Sequence, residues 1–200
     1  MNLNNIQFDY NSKVILSYFF ISLFACFLNF ITKSKSNKLL FMSYRNSIFS
    51  PLTYIRLFTH SIGHKNLNHL INNFLIILLV GGMIEEKYGS INLLIMFLIT
   101  SLIIGLYNII FHNNCILGSS GNVYMLIVLS SFSNITEGKI PLTLILILIF
   151  YVTSQVKKSI LENDHISYNS HIIGALCGII FGYLLYNYQS FSNIFSLINK

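Results

Sequence analysis

The sequence predicts an all-α protein of six transmembrane helices, and three observations carry that prediction. The composition is 54% hydrophobic and only 9% charged, with a mean hydropathy of +0.67, well off the average for soluble globular chains. Six apolar runs, at about residues 14–31, 68–84, 91–111, 119–132, 140–156 and 168–188, are separated by short polar connections or, once, by a long one. As helices, most of them span the ~30 Å hydrocarbon core of a bilayer. The third observation is that the polar residues inside these runs gather at run ends, Ser120 and His171 among them. At 200 residues the chain is expected to be a single membrane domain, 1–200, with no separate soluble part.

The first run, Val14 to Ile31, invites comparison with a signal peptide. It is too long for a typical apolar signal core, and Asn29-Phe30-Ile31-Thr32-Lys33 offers no small-residue cleavage site. It reads as a retained span. Residues 33–65 are rich in Ser, Asn and basic residues with aromatics interleaved, and are expected to lie on the membrane surface. The second run, from about Asn68 to Ile84, is expected to stop at Glu85-Glu86-Lys87-Tyr88-Gly89. The third covers Ile91 to Phe111, and His112-Asn113-Asn114-Cys115 follows as a solvated loop. The fourth, Ser119 to Phe132, is short for a full crossing. The fifth, Ile140 to Val156, carries Pro141 in its expected first turn, where the missing N–H costs little. A charged loop with Lys157, Lys158, Glu162 and Asp164 leads to the sixth, Tyr168 to Tyr188.

The net charge of +6 raises nucleic acid as a partner. The basic residues are scattered at span ends, densest at Lys33, Lys35 and Lys38, so contact with lipid headgroups is the better reading and no nucleic-acid partner is expected. Cys26, Cys115 and Cys177 are odd in number and show no C-x-x-C spacing, which indicates neither a disulfide framework nor a zinc site. No metal or cofactor is called for.

Chemistry is suggested by Ser120, in Gly118-Ser119-Ser120-Gly121, and His171, in His171-Ile172-Ile173-Gly174. Polar groups in apolar spans are costly and mark function by default. Alternating crossings put the starts of the second, fourth and sixth spans on one side, so His69, Ser120 and His171 share a level. His69 and Asn73 are four apart and therefore on one helix face, roughly 6 Å from each other, where two donors suit an oxyanion. Tyr124, four residues after Ser120, is placed to support a histidine ring. Gly174, Gly178 and Gly182 strip side chains from one stripe of the sixth span, which lets another helix approach. Each feature has a bland reading: Gly-Ser-Ser-Gly as a turn and helix cap, a membrane histidine as an interhelical hydrogen bond, Arg56 and His60 as loop braces.

Taken together, these residues resemble the rhomboid family of intramembrane serine proteases. Gly118-x-Ser120-Gly121 is similar to the family's nucleophile motif, and His171-x-x-Gly174-x-x-x-Gly178 to its general-base motif. His64, His69 and Asn73 match the pattern of the second span, Gly81-x-x-x-Glu85-x-x-x-Gly89 the motif that closes it, and Arg56 the arginine of a first-loop Trp-Arg pair. The chain departs in having no tryptophan, with Ile55 before Arg56. The resemblance implies a rhomboid-like fold, a Ser120–His171 dyad with no third member from Asp164 or His165, and an oxyanion site from His69, Asn73 and the Ser120 N–H. It implies an acyl-enzyme mechanism, and transmembrane segments of other proteins as substrates, entering near the fifth span.

Two other classes are carried beside it: a catalytically silent rhomboid-like protein that binds membrane clients, and a small channel or transporter. The last would spread polar residues through the full membrane depth, whereas these cluster at one side. Orientation divides two lines of reasoning. Lys13, Lys87, Lys139 and Lys200 fall on the N-terminal side, while Lys33, Lys35, Lys38, Arg45, Arg56, Lys65, Lys157 and Lys158 fall on the other. A positive-inside count therefore puts the first loop and the site in the cytoplasm. The resemblance implies a plasma (inner) membrane protein with the site facing outward, and the site is expected to face that way.

Overall fold

The computed structural model describes residues 10–112, 114–132, 139–153 and 168–198. Its helices are α1 (Lys13–Ile31), α2 (Pro51–Thr59), α3 (Leu67–Tyr88), α4 (Ser90–Phe111), α5 (Ser120–Phe132), α6 (Leu142–Leu146) and α7 (Tyr168–Ile198). A π-helical turn occupies Asn37–Phe41, and α6 continues into a π-helical stretch at Ile147–Val152. The fold is all-α. Among the described residues, α1, α3, α4 and the Tyr168–Tyr186 part of α7 are long and apolar enough to cross a membrane, and α5 is a shorter apolar helix. Asn113, Lys157, Lys158, Glu162, Asp164, His165 and Lys200 lie outside the described residues.

α3 ends at Tyr88 with Gly89 as its C-cap, within the Glu85–Gly89 segment that follows the apolar run. In that segment Glu85 is a carboxylate used as a helix cap. Glu85 is buried, and its Oε1 accepts from the Val14 N–H at 2.9 Å and its Oε2 from the Ile15 N–H at 3.1 Å. These are orphan donors of the first turn of α1, whose N-cap Ser12 makes no side-chain cap of its own. The Ser90 hydroxyl donates to Oε1 at 2.7 Å, which ties the start of α4 to the same carboxylate. Between them Gly89, at φ +84°, ends α3 in a conformation that L side chains avoid.

Residues 33–65 do not simply lie on the surface. Asn37, Arg56, His60 and His64 are all buried. Pro51 starts α2, and Arg56 on that helix donates through Nε to the Leu39 carbonyl at 2.9 Å. Its guanidinium stacks 4.4 Å from the Tyr44 ring centroid, so a tyrosine anchors this arginine in a chain without tryptophan. Thr59 donates to the Leu40 carbonyl, and Asn37 Nδ2 to the His64 carbonyl at 3.0 Å. These bonds tie the connection inward, although Asn37 Oδ1, Ser43 Oγ and Arg56 Nη1 are buried without a hydrogen-bond partner.

The fifth run also differs at its start: Pro141 is the residue before α6, extended at ψ 130°, and not part of the first turn. Downstream, α7 continues past residue 188 to Ile198.

The centre of the bundle is α5, where Met125, Leu126, Val128 and Leu129 are 0% exposed. Its most extensive partner is α7. A Cβ built on Gly174 would collide with the Gly121 backbone, and one on Gly178 would lie 2.6 Å from the Met125 carbonyl oxygen. One on Gly182 would strike the Phe132 ring. The glycine stripe of α7 thus faces α5, and backbone meets backbone near the start of both helices.

Gly174→Val is expected to lower the thermal midpoint in detergent, with a cost at or above the 1–3 kcal/mol usual for overpacking, since the obstacle is backbone and cannot rotate away. Glu85→Ala is expected to cost about 1–3 kcal/mol for the unpaired donors it leaves at the start of α1, read as a lowered midpoint and faster amide exchange at Val14 and Ile15.

Candidate active site

Ser120 is the first residue of α5, and the Ser119 carbonyl accepts the first helical hydrogen bond, from Val123 N at 3.0 Å. Helix geometry therefore leaves the Ser120 N–H without an intrahelical acceptor. Thirteen residues rise only about 20 Å, less than the ~30 Å core. Residues 114–119 lead into α5 as irregular chain, with Ile116 and Ser119 buried.

That segment is held by residues 43–64. Ser43 and Ile116 exchange backbone hydrogen bonds as an antiparallel bridge, 3.0 Å each way. Gly118 N donates to the His60 carbonyl at 2.8 Å. The His64 ring bridges the Ile62 carbonyl, 3.0 Å from Nδ1, and the Ser119 hydroxyl, 3.1 Å from Nε2. A carbonyl cannot donate, so His64 carries its proton on Nδ1 and takes one from Ser119 at Nε2. Ser119 is fully buried beside the nucleophile candidate.

His171, in the first turn of α7, brings Nε2 to 3.0 Å from Ser120 Oγ. Tyr124, one turn along α5 from Ser120, stacks its ring on the imidazole at 4.3 Å and 10°, while Tyr168 meets it edge-on at 6.1 Å. The ring is thus fixed in plane and aimed at the serine. Gly121 and Gly174, in contact, set the distance between the two helices that bear the pair.

His69 and Asn73 lie on α3 opposite Gly118. A Cβ on Gly118, whose φ is +120°, would fall 2.7 Å from His69 Cε1, 2.9 Å from its Nε2 and 3.7 Å from Asn73 Nδ2. Both side chains therefore border the turn two residues before Ser120. Asn66 caps α3 by accepting from His69 N at 2.9 Å, and the Lys65 N–H approaches His69 Nδ1 at 3.5 Å, which leaves the ring proton on Nε2, facing Gly118. Asn73 Nδ2 is buried and has no hydrogen-bond partner. A buried unpaired donor beside a serine is costly in isolation and useful where negative charge develops.

Arg56 and Glu85 sit apart from this cluster, one bracing the first connection and the other capping α1. Several pairings of the site were not read from the sequence. Ser119 with His64, the His60 carbonyl, and the buried chain in which Asn122 Nδ2 donates to Tyr18 Oη at 3.2 Å, itself bonded to the Ser61 carbonyl at 2.8 Å, join segments far apart in the chain and follow no period. Asn66 was readable, as a capping residue just before an apolar run. His112, expected to be a solvated loop residue, instead accepts from Asn169 Nδ2 at 3.1 Å and ties the end of α4 to the start of α7. Among the described residues, no group of His, Cys, Asp and Glu could hold a metal ion.

Burial pushes His60 and His64 down from 6.5 to about 4, and for His64 the nearby His69 adds to the effect. Their folded-state values lie below the unfolded one, so the stability they contribute is full above pH 6.5 and is lost as pH falls toward 4. The thermal midpoint is expected to drop across that window and to drop less steeply in His64→Gln.

The Rhomboid domain family matches residues 51–188 of the chain. No curated protein matches it. The family match covers α2 to α6, α7 as far as residue 188, and with them His64, His69, Asn73, Ser119, Ser120, Tyr124 and His171. This membrane-embedded chain belongs to the rhomboid family.

Proposed function

We propose that this protein is an active intramembrane serine endopeptidase that cuts transmembrane segments of other proteins through a Ser120–His171 dyad. The observation that carries the reading is the 3.0 Å hydrogen bond between Ser120 Oγ and His171 Nε2. A neutral imidazole accepting at Nε2 is a general base in position. In the proposed reaction, Nε2 takes the Ser120 proton as Oγ bonds to the scissile carbonyl carbon. The carbonyl oxygen becomes an oxyanion facing the Asn73 amide, the His69 Nε2–H and the Ser120 N–H. Collapse expels the amine, which receives the proton from His171, and water then hydrolyses the ester with His171 again as base. The partial exposure of Ser120 and His69 leaves room for that water and for substrate.

A substrate helix must unwind before it can react, because its carbonyls are engaged in i to i−4 hydrogen bonds. Segments with helix-weakening residues are the expected substrates. We further propose that the site opens outward from a plasma (inner) membrane, as the family resemblance implies. Of the cations that argue otherwise, Arg56 is buried against Tyr44 and so is not free for headgroups.

In reconstituted vesicles with a model transmembrane substrate, Ser120→Ala and His171→Ala are each expected to abolish cleavage while keeping the wild-type melting profile. A client-binding protein without catalysis would show no turnover in the wild type. Asn73→Ala is expected to lower kcat on the order of a hundredfold with little change in KM, as for loss of one oxyanion donor. An unchanged kcat would remove Asn73 from the site.

A further inference from the structure

The end of α1 and the start of α3 stand side by side at the same end of the bundle as Ser120, and between them is a groove of about 690 Å³. Its wall is apolar, formed by Leu23, Phe27 and Phe30 of α1, and its lining includes Lys33, Asn29 and Lys65. Phe27 and Phe30 are 58% and 82% exposed. The apolar part lies on a membrane-spanning helix and the lysines lie just beyond the helix ends, which is the layering of acyl chain and headgroup.

The lysines are presented by built backbone. Lys33 and Ser34 have φ of +50° and +69°, a left-handed pair uncommon for non-glycine residues. The turn is held by Ser34 N to the Asn29 carbonyl at 2.9 Å and Lys33 N to the Phe30 carbonyl at 3.3 Å. Below it, Asn29 Nδ2 donates to the Lys65 carbonyl at 3.3 Å, locking the two basic segments together. The carboxylates among the described residues are Glu85 and Glu86, at the far end of α3. Twenty residues of helix put them about 30 Å from Lys65. Among the described residues, the groove thus holds two cations with no internal counter-charge.

We propose that this groove binds an anionic glycerophospholipid, its phosphate between Lys33 and Lys65 and one acyl chain along Leu23, Phe27 and Phe30. An anionic lipid suits the site better than a zwitterionic one, because the groove has no described carboxylate to receive a choline or ethanolamine cation. The site shares a turn with the candidate oxyanion residue: the Lys65 N–H and the Asn66 side chain, both at the groove, hold His69 Nδ1 and His69 N. A bound lipid would order that turn. The binding itself does not depend on the protein being a protease.

Native mass spectrometry of the purified full-length protein, with phosphatidylglycerol and phosphatidylcholine of matched chains in competition, tests it. Wild type is expected to retain phosphatidylglycerol on the order of tenfold better. Lys33→Gln/Lys65→Gln should lose the preference, Lys33→Arg/Lys65→Arg should keep it, and Lys35→Gln, two residues from Lys33 and outside the groove, should leave it unchanged. Equal retention by the wild type, or a preference that survives the glutamine pair, would mean annular lipid only and overturn the proposal. So would an equal loss in Lys35→Gln, which would indicate diffuse surface charge. Stabilisation of the wild type, and not of the glutamine pair, by inorganic phosphate alone would reassign the groove to free anions.

Discussion

Backbone that leaves the helix inside a bilayer must find its hydrogen bonds within the protein, and that constraint organises this molecule. Residues 114–119 lead into the buried helix α5 as irregular chain, with Ile116 and Ser119 themselves shielded from water. The bridge to Ser43, the bond from Gly118 to the His60 carbonyl and the Ser119–His64 pair supply what helix geometry does not. The long first connection therefore folds inward and brings Arg56, His60 and His64 into burial. What looks like a surface segment is the support on which the serine stands.

The second requirement is close approach. Ser120 and His171 lie on different helices, and the 3.0 Å between their reactive atoms is possible because Gly121 and Gly174 let the α5 and α7 backbones touch just beyond them. Tyr124 then fixes the imidazole plane by stacking. Precision here comes from rigid helices and absent side chains rather than from a loop. Glu85 serves the same end from the other side of the bundle, fastening α1, α3 and α4 at one carboxylate.

Much of this was legible because it follows helix periods. Apolar runs gave the long helices α1, α3, α4 and α7 and the shorter α5, alternation gave His69, Ser120 and His171 a common level, and the four-residue glycine spacing gave a face for close contact. The capping role of Glu85 was not legible, since its partners, the first N–H groups of α1, are some seventy positions away in the chain. The same holds for His64 with Ser119 and for Arg56 with Tyr44. Pairings across such separations leave no period, and only a folded chain reveals that a tyrosine stands under the arginine where a tryptophan was looked for. The unpaired amide of Asn73 belongs to this class as well.

The central claim is that His171, brought in by the α5–α7 contact, activates Ser120 and no neighbouring hydroxyl. Labelling the folded protein with a fluorophosphonate and mapping the adduct by peptide mass tests it most directly. A single adduct on Ser120, absent in His171→Ala, is the predicted result. No adduct in the wild type, an adduct on Ser119, or undiminished labelling of Ser120 in His171→Ala would contradict it.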